Sequence, residues 1–257
     1  MSRKATQAPR PAGREVTKVS AAGPPKGLIA VVVVLVVALV GGLVLWAFRG
    51  DPDPAAGASE LEASGSANAL PQGGGVRIGP GPEADVPQVR LYEDFQCPWC
   101  GVLEEAVGEE LASRAEAGEI TMTYTLMSFL EGGPDGESSH QAANAALCAD
   151  DAGAFTAYHA AVFAGQPDEE GAGWTQEQLL GFADGAGLDG AETEQFTSCV
   201  EDDIYGAYVE DMQARADLDE VTGTPHLVVG EHALEADELQ SLWSEPGTLD
   251  EVLEAHS

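Results

Sequence analysis

Two cysteines lie at a point where a strand pattern changes into a helix pattern, and this junction constrains the fold more than any other feature. Residues 86–92 (VPQVRLY) alternate in the manner of a short strand. From residue 98 to about 115 the apolar residues recur at helical spacing. Between the two patterns stands Cys97-Pro98-Trp99-Cys100. The sequence therefore predicts a strand–turn–helix unit with a dithiol at the start of the helix.

The position of this motif gives its two sulfurs different chemistry. Cys97 is expected at the N-cap, with Pro98 at the first helical position, where a missing N–H has no cost. The free N–H groups and partial positive charge of a helix N-terminus stabilise a thiolate. The pKa of Cys97 should thus lie below the usual value of about 8.5. Cys100, one turn further, faces the same side. We expect Cys97 to be the attacking thiol and Cys100 the resolving thiol.

A zinc site and a purely structural disulfide are the alternatives for this motif. Zinc would require a second ligand pair, whereas Cys148 and Cys199 stand alone with no nearby histidine pair. A disulfide within Cys-X-X-Cys closes a very small ring and adds little stability. We therefore predict no metal and no cofactor.

The other two cysteines are expected to pair with each other. The cysteine count is even, and the location predicted below is an oxidising compartment, so Cys148 and Cys199 should form a structural disulfide; two buried free thiols are the alternative.

An apolar segment near the N-terminus predicts where the protein resides. Residues 28–48 contain 21 consecutive residues without a charge, enough for a helix of roughly 30 Å that spans a bilayer. Residues 1–27 carry six basic residues and one acidic residue. The positive-inside rule then predicts a single-pass cell-membrane protein, with 1–27 cytoplasmic and the rest outside. A cleaved signal peptide is the alternative, although its apolar region would be shorter, about 7–15 residues.

Composition divides the remaining chain into a linker and a folded domain. Residues 49–75 are rich in Gly, Ala, Pro and Ser and predict a flexible, disordered linker. The predicted domain, 76–257, is an α/β fold: β-α-β, an all-helical insert at about 135–217, then β-(β)-α. Within the insert, helices are predicted at about 139–164, 175–187 and 190–217, and in the last of them apolar residues recur every four positions from Phe196 through Ile204 to Met212. Beyond residue 27 the chain has 5 basic and 43 acidic residues. A surface this acidic repels the phosphate backbones of nucleic acids. We therefore expect no nucleic-acid partner.

Three stretches of the domain resemble the DsbA-like thiol–disulfide oxidoreductases, most closely the membrane-anchored type of Gram-positive and actinobacterial envelopes. They are Tyr92-Glu93-Asp94-Phe95-Gln96-Cys97-Pro98-Trp99-Cys100, Gly223-Thr224-Pro225, and the Ala145-Ala-Leu-Cys148-Ala149 segment with the aromatic residues after it. The resemblance implies a thioredoxin-like fold with an inserted helical subdomain. It also implies a cis peptide bond before Pro225 and a loop, Thr224-Pro225, packed against the dithiol, with Pro98 and Trp99 as supporting residues.

The chain departs from the thioredoxin pattern at one position. Thioredoxins place a buried acid six residues before the first cysteine, where Leu91 stands here. Glu93 or Asp94 could substitute, but a solvated surface acid is the interpretation favoured for each. His159, in a helix with aromatic neighbours, is expected to be a packed structural residue. His226 could flank the dithiol or be an ordinary strand residue.

The favoured function is oxidation of cysteine pairs in exported proteins through Cys97 and Cys100, with a quinone-linked membrane protein as a possible reoxidant. A disulfide reductase or isomerase of the same fold is the alternative within this class. A redox-inert binding module is the alternative outside it. Two intact thiols at a helix start argue against an inert module, which has no need of them.

Overall fold

The computed structural model describes residues 63–130, 132–133, 136–169 and 171–256. None of the helices in these ranges is both long and apolar enough to cross a membrane. The predicted cytoplasmic segment, the predicted span at 28–48 and the first part of the predicted linker lie outside the described residues.

A five-stranded mixed sheet, in the order β1-β3-β2-β4-β5, forms the centre of the domain. The central strand β2 is parallel to β3 and antiparallel to β4, while β1 and β5 pair antiparallel with β3 and β4. The end of β2 therefore lies beside the start of β4. The strands are β1 (Val76–Ile78), β2 (Gln88–Glu93), β3 (Thr121–Leu126), β4 (His226–Val229) and β5 (His232–Ala233).

Helices cover the sheet and form the insert. The helix after β2 runs without a break as α1 (Pro98–Leu103), a π-helical turn (Glu104–Gly108) and α2 (Glu109–Glu116). The insert between β3 and β4 consists of α3 (Ser138–Asp151), α4 (Phe155–Ala164), α5 (Gln176–Gly185), α6 (Gly190–Glu201) and α7 (Gly206–Leu218). After β5 follow α8 (Ala236–Ser244) and α9 (Thr248–His256).

The predicted α/β fold with a helical insert is confirmed, but two predicted helices are each divided in two. The stretch 139–164 breaks at Gly153, whose φ is +69°, and the stretch 190–217 breaks at Asp203, whose φ is +48°. Left-handed backbone cannot continue a right-handed helix. As a result Ile204, expected in the apolar row of one long helix, is 56% exposed.

The folded part begins before the predicted boundary at residue 76. Residues 63–75, which we call the N-terminal arm, were expected to belong to a disordered linker, yet they pack on the insert. The Ala63 N–H donates to Asp211 on α7 (2.8 Å), and the backbone and side-chain amides of Asn68 donate to Asp150 on α3 (2.7 and 2.8 Å). Composition could not indicate this, because the arm is held by polar and apolar contacts with residues far along the chain.

A disulfide joins two helices of the insert. Cys148 on α3 bonds to Cys199 on α6, with a Cα–Cα separation of 5.8 Å. This is the pairing expected from the cysteine count. Around it, α3 presents a buried row of alanines whose small side chains allow the helices to approach closely; these are Ala142, Ala143, Ala145, Ala146 and Ala149.

Candidate active site

The dithiol lies at the junction of β2 and α1. Cys97 is the N-cap residue, with extended backbone (φ −73°, ψ 117°), and Pro98 opens the helix. The Cys97 carbonyl accepts from the N–H groups of Cys100 (3.1 Å) and Gly101 (3.2 Å). The two thiols are not bonded to each other in the structure. Cys97 is 6% exposed and Cys100 is 1% exposed, so Cys97 is the more accessible sulfur.

The loop before β4 packs against Cys97. The Thr224–Pro225 peptide bond is cis, and Sγ of Cys97 lies 3.4 Å from the Thr224 backbone carbonyl oxygen, to which Cys97 can donate only while it is protonated. The loop therefore reaches the sulfur through its backbone. The Thr224 hydroxyl is also buried, and it makes no hydrogen bond that meets the usual distance and angle limits. The pairing of β2 with β4 explains the juxtaposition, since Tyr92 lies opposite His226 in the sheet.

The two thiols differ in acidity as the sequence predicts. A hydrogen bond from the Cys100 thiol is the largest cause that lowers the pKa of Cys97 to about 6, against an opposing effect of burial. The Thr224 hydroxyl lowers it further although its contact with the sulfur falls short of a full hydrogen bond, and so do the backbone N–H groups of Cys100 and Trp99. Burial, together with the hydrogen bond to Cys97, raises the pKa of Cys100 well above its usual value. At neutral pH the reduced site thus holds a thiolate at Cys97 and a thiol at Cys100.

Asp94 fixes the turn that carries the dithiol. Its carboxylate accepts hydrogen bonds from the Gln96 N–H (2.9 Å), the Leu130 N–H (3.1 Å) and the Ser139 hydroxyl (2.6 Å). Burial raises the pKa of Asp94 to about 6, while these hydrogen bonds oppose the shift. Asp94 is fully buried, so the surface position favoured from the sequence is wrong. Its side chain instead links the active-site turn to helix α3.

Gln166, just beyond α4, holds the same turn from the other side. Its side-chain amide donates to the carbonyls of Phe95 (2.7 Å) and Cys97 (3.0 Å). A Cβ at Gly101 would lie 2.4 Å from the Gln166 side-chain oxygen, so glycine at 101 makes room for this contact. Nothing in the local sequence singles out Gln166, because it is 69 residues away from Cys97.

A buried charge cluster lies behind the dithiol. Nε2 of His159 is 2.7 Å from Glu93 Oε1, and Nδ1 is 3.6 Å from Glu104 Oε1. Glu93 is 1% exposed, so its predicted surface position is also wrong. Burial raises the pKa of Glu93, while its charge raises the pKa of Cys100. Glu93 is therefore electrostatically coupled to the resolving thiol.

His159 is packed, as expected, but it also carries charge. Burial lowers its pKa, and the negative charges of Glu93 and Glu104 outweigh this effect and raise the pKa to about 10. Aromatic rings surround the imidazole at centroid distances of 4.9 to 5.7 Å, in tilted and edge-on arrangements. The rings belong to Phe95, Tyr124, Phe155 and Phe163. His159 is thus an imidazolium held between two carboxyl groups.

The remaining predicted site residues lie at the rim. Trp99 is 59% exposed and its indole stacks on Trp243 of α8, with centroids 5.8 Å apart. His226 begins β4, and its ring lies 5.6 Å from that of Tyr92. Partial burial lowers the pKa of His226.

Comparisons with known proteins place this site in a family. The family model described as thioredoxin matches residues 73–245. The chain therefore belongs to the thioredoxin family. No curated protein sequence matches it significantly.

Similar solved structures indicate which kind of thioredoxin-family protein this chain is. Reduced DsbA from Mycobacterium tuberculosis is 25% identical, with a TM-score of 0.52, and the match covers 72% of this chain and 100% of that one. MdbA, a thiol-disulfide oxidoreductase from Actinomyces oris, is 20% identical, with a TM-score of 0.61 and coverage of 80% and 100%. BdbD from Bacillus subtilis is 18% identical, with a TM-score of 0.57 and coverage of 76% and 98%. Within its family the chain is a DsbA-like thiol–disulfide oxidoreductase.

Proposed function

We propose that this protein is an oxidase that introduces disulfides into exported proteins. The observation that carries the proposal is the lowered pKa of Cys97, at about 6, beside a resolving thiol of raised pKa. A stabilised Cys97 thiolate stabilises the reduced form of the dithiol. A dithiol whose reduced form is stabilised is a stronger oxidant.

The proposed reaction consists of two thiol–disulfide exchanges. A substrate thiolate attacks Sγ of Cys97 in the Cys97–Cys100 disulfide, a mixed disulfide forms, and Cys100 leaves as a thiolate that takes up a proton because its pKa is high. A second substrate thiolate then attacks the substrate sulfur of the mixed disulfide and expels the Cys97 thiolate. Two electrons pass from substrate to protein. Cys97 leaves readily because a thiol of low pKa is a good leaving group.

The proposed cycle closes at the membrane. A quinone-linked membrane protein would take the two electrons and restore the Cys97–Cys100 disulfide. The charge-free segment 28–48 and the basic residues before it support a single-pass anchor with the N-terminus in the cytoplasm. An anchor would hold the dithiol domain outside the cell, close to such a partner and to emerging substrates.

The reduction potential of the dithiol tests the direction of electron flow. We expect equilibration with glutathione buffers to give a value above about −200 mV, on the oxidising side of the range for such dithiols. The Cys97→Ser variant should neither equilibrate nor oxidise a reduced, unfolded substrate protein. A potential near that of thioredoxin, about −270 mV, would instead support the reductase alternative.

Protease added to intact spheroplasts tests the location. We expect cleavage to release the acidic domain into the medium while the N-terminal basic segment stays protected. A domain that is degraded only after the membrane is lysed would contradict the extracytoplasmic assignment.

A further inference from the structure

Two histidines and a glutamate converge at the edge of the sheet away from the residues of the dithiol site. His232 lies on β5, Glu238 on α8 and His256 at the end of α9. Nε2 of His232 is 2.9 Å from Glu238 Oε2, and Nε2 of His256 is 3.3 Å from Glu238 Oε1. Three separate elements thus direct nitrogen or oxygen atoms towards one point.

The spacing of these atoms fits a metal ion. One ligand atom from each residue lies within 4.8 Å of the others. In a tetrahedral site with bonds of about 2.0–2.1 Å, neighbouring ligand atoms are separated by roughly 3.4 Å. The two nitrogen–oxygen distances, 2.9 and 3.3 Å, are of this order and run to different oxygens of Glu238, as for a carboxylate that binds one ion through both oxygens. Small rotations of three side chains that are 21–39% exposed would complete the geometry.

The arrangement of the two imidazoles is a second observation. Their rings stack with centroids 3.9 Å apart and an interplanar angle of 11°, and both direct Nε2 at the same carboxylate. Both nitrogens therefore lie on the same side of Glu238, and a turn of one partly exposed ring out of the stack lets both Nε2 lone pairs point at one divalent cation.

We propose that His232, Glu238 and His256 form a site for a divalent transition-metal ion, with Zn²⁺ as the ion of choice. Imidazole ligands favour Zn²⁺, Cu²⁺ and Ni²⁺ over Mg²⁺ and Ca²⁺, which prefer oxygen ligands. Two histidines and a glutamate leave a fourth position open to water. The net charge of −33 raises the concentration of cations near the protein as a whole.

The bound ion would fasten the C-terminal helix to the edge of the sheet. Glu238 already accepts the Glu235 N–H through Oε2 in the capping box of α8, which fixes its position. His256 is the last residue of α9. A metal bound by residues of β5, α8 and α9 links these three elements to one another.

Calorimetric titration of Zn²⁺ into the full-length protein in detergent tests the proposal. The dithiol is kept oxidised, so that Cys97 and Cys100 cannot bind the metal, and the affinity tag contains no histidine. We expect one Zn²⁺ per chain, unaffected by excess Mg²⁺, and a rise in the Tm on metal binding. His256→Ala and His232→Ala should each weaken binding at least about tenfold, because even loss of a second-shell partner costs that much.

His140→Ala is the matched control, since His140 also pairs with a carboxylate, that of Asp203 at 3.2 Å, but belongs to no three-ligand cluster among the described residues. Its affinity for Zn²⁺ should equal that of the unaltered protein. Glu238→Gln keeps an oxygen that can accept the Glu235 N–H, so it separates the loss of a ligand from the loss of the helix cap. Equal binding by all four variants, or no one-to-one binding by the unaltered protein, would overturn the proposal.

Discussion

The side chain of Thr224 offers a test of how the acidity of Cys97 is set. Thr224→Val keeps the shape of the side chain and removes the hydroxyl, so the pKa of Cys97 should rise from about 6. The rate of alkylation as a function of pH gives this value. Each unit of increase should make the protein a weaker oxidant by roughly 30 mV. Thr224→Ser, which keeps the hydroxyl, should leave both quantities close to their original values, and a pKa unchanged by Thr224→Val would remove Thr224 from the mechanism.

The pairing of His159 with Glu93 gives a prediction about stability. His159→Gln leaves the carboxyl of Glu93 buried without its cation and should lower the free energy of unfolding by about 3–5 kcal/mol. Glu93→Gln in the same chain removes the stranded charge, so the double variant should recover part of the loss. Urea unfolding of both single variants and the double variant measures the coupling. Strictly additive losses would show that the two side chains do not interact.

The same cluster predicts a pH dependence. The pKa of His159 is raised from 6.5 to about 10 in the folded state. Its contribution to stability is therefore complete below pH 6.5 and is lost as the pH rises towards 10. We expect the free energy of unfolding to decline across this window, and the decline to be smaller in His159→Gln. An equal decline in both proteins would assign it to other groups.

Sequence reasoning at the residue scale succeeds where the cause is local. The lowered pKa of Cys97 was predicted from its place at a helix start, and the structure agrees in direction. The Cys100 thiol, rather than the helix N–H groups, turns out to be its largest cause. Glu93 was misjudged because its partner, His159, is 66 residues away, and no local pattern indicates such a pair.

At the scale of elements, the N-terminal arm depends on a glycine. Gly73 has φ +64°, and a Cβ there would lie 2.2 Å from the backbone oxygen of Asp211. Gly73→Ala should therefore detach the arm from α7, with a cost above the roughly 1–2 kcal/mol of left-handed strain alone. Limited proteolysis within 63–75 and urea unfolding would measure both effects.

Gly118→Ala provides the matched control. Gly118 has a similar φ of +76°, but a Cβ there would meet nothing within 4 Å. This variant should show only the cost of backbone strain. Equal losses in the two variants would mean that the contact between the arm and α7 contributes nothing to stability.

The order of the longer strands and helices was largely predictable, because their apolar residues recur at the spacing typical of a strand or a helix. The strand β1 was missed because it has only three residues, too few to show an alternation of apolar and polar positions. The helix break at Asp203 was also missed. The apolar residues continue at a spacing of four through the break, and only the backbone geometry at Asp203 shows that the helix ends.

At the scale of the whole molecule, the net charge of −33 predicts a response to salt. Like charges on one folded domain repel, and salt shortens the range of that repulsion from about 30 Å at 0.01 M to about 8 Å at 0.15 M. The Tm should therefore rise with NaCl over this interval, more than with sucrose of equal osmolality. A Tm that is unchanged by NaCl would show that repulsion among the acidic residues does not limit stability.

The stacked indoles at the rim of the site provide an intrinsic optical signal. Trp99 stands between the two cysteines and is largely exposed, whereas Trp174 is buried in the insert at 1% exposure. Any protein that docks over the dithiol must cover Trp99 or separate it from Trp243, while the emission of Trp174 stays constant. Encounters with substrates and with a reoxidising partner can therefore be followed by fluorescence on the unlabelled protein, in real time and before any disulfide has been exchanged.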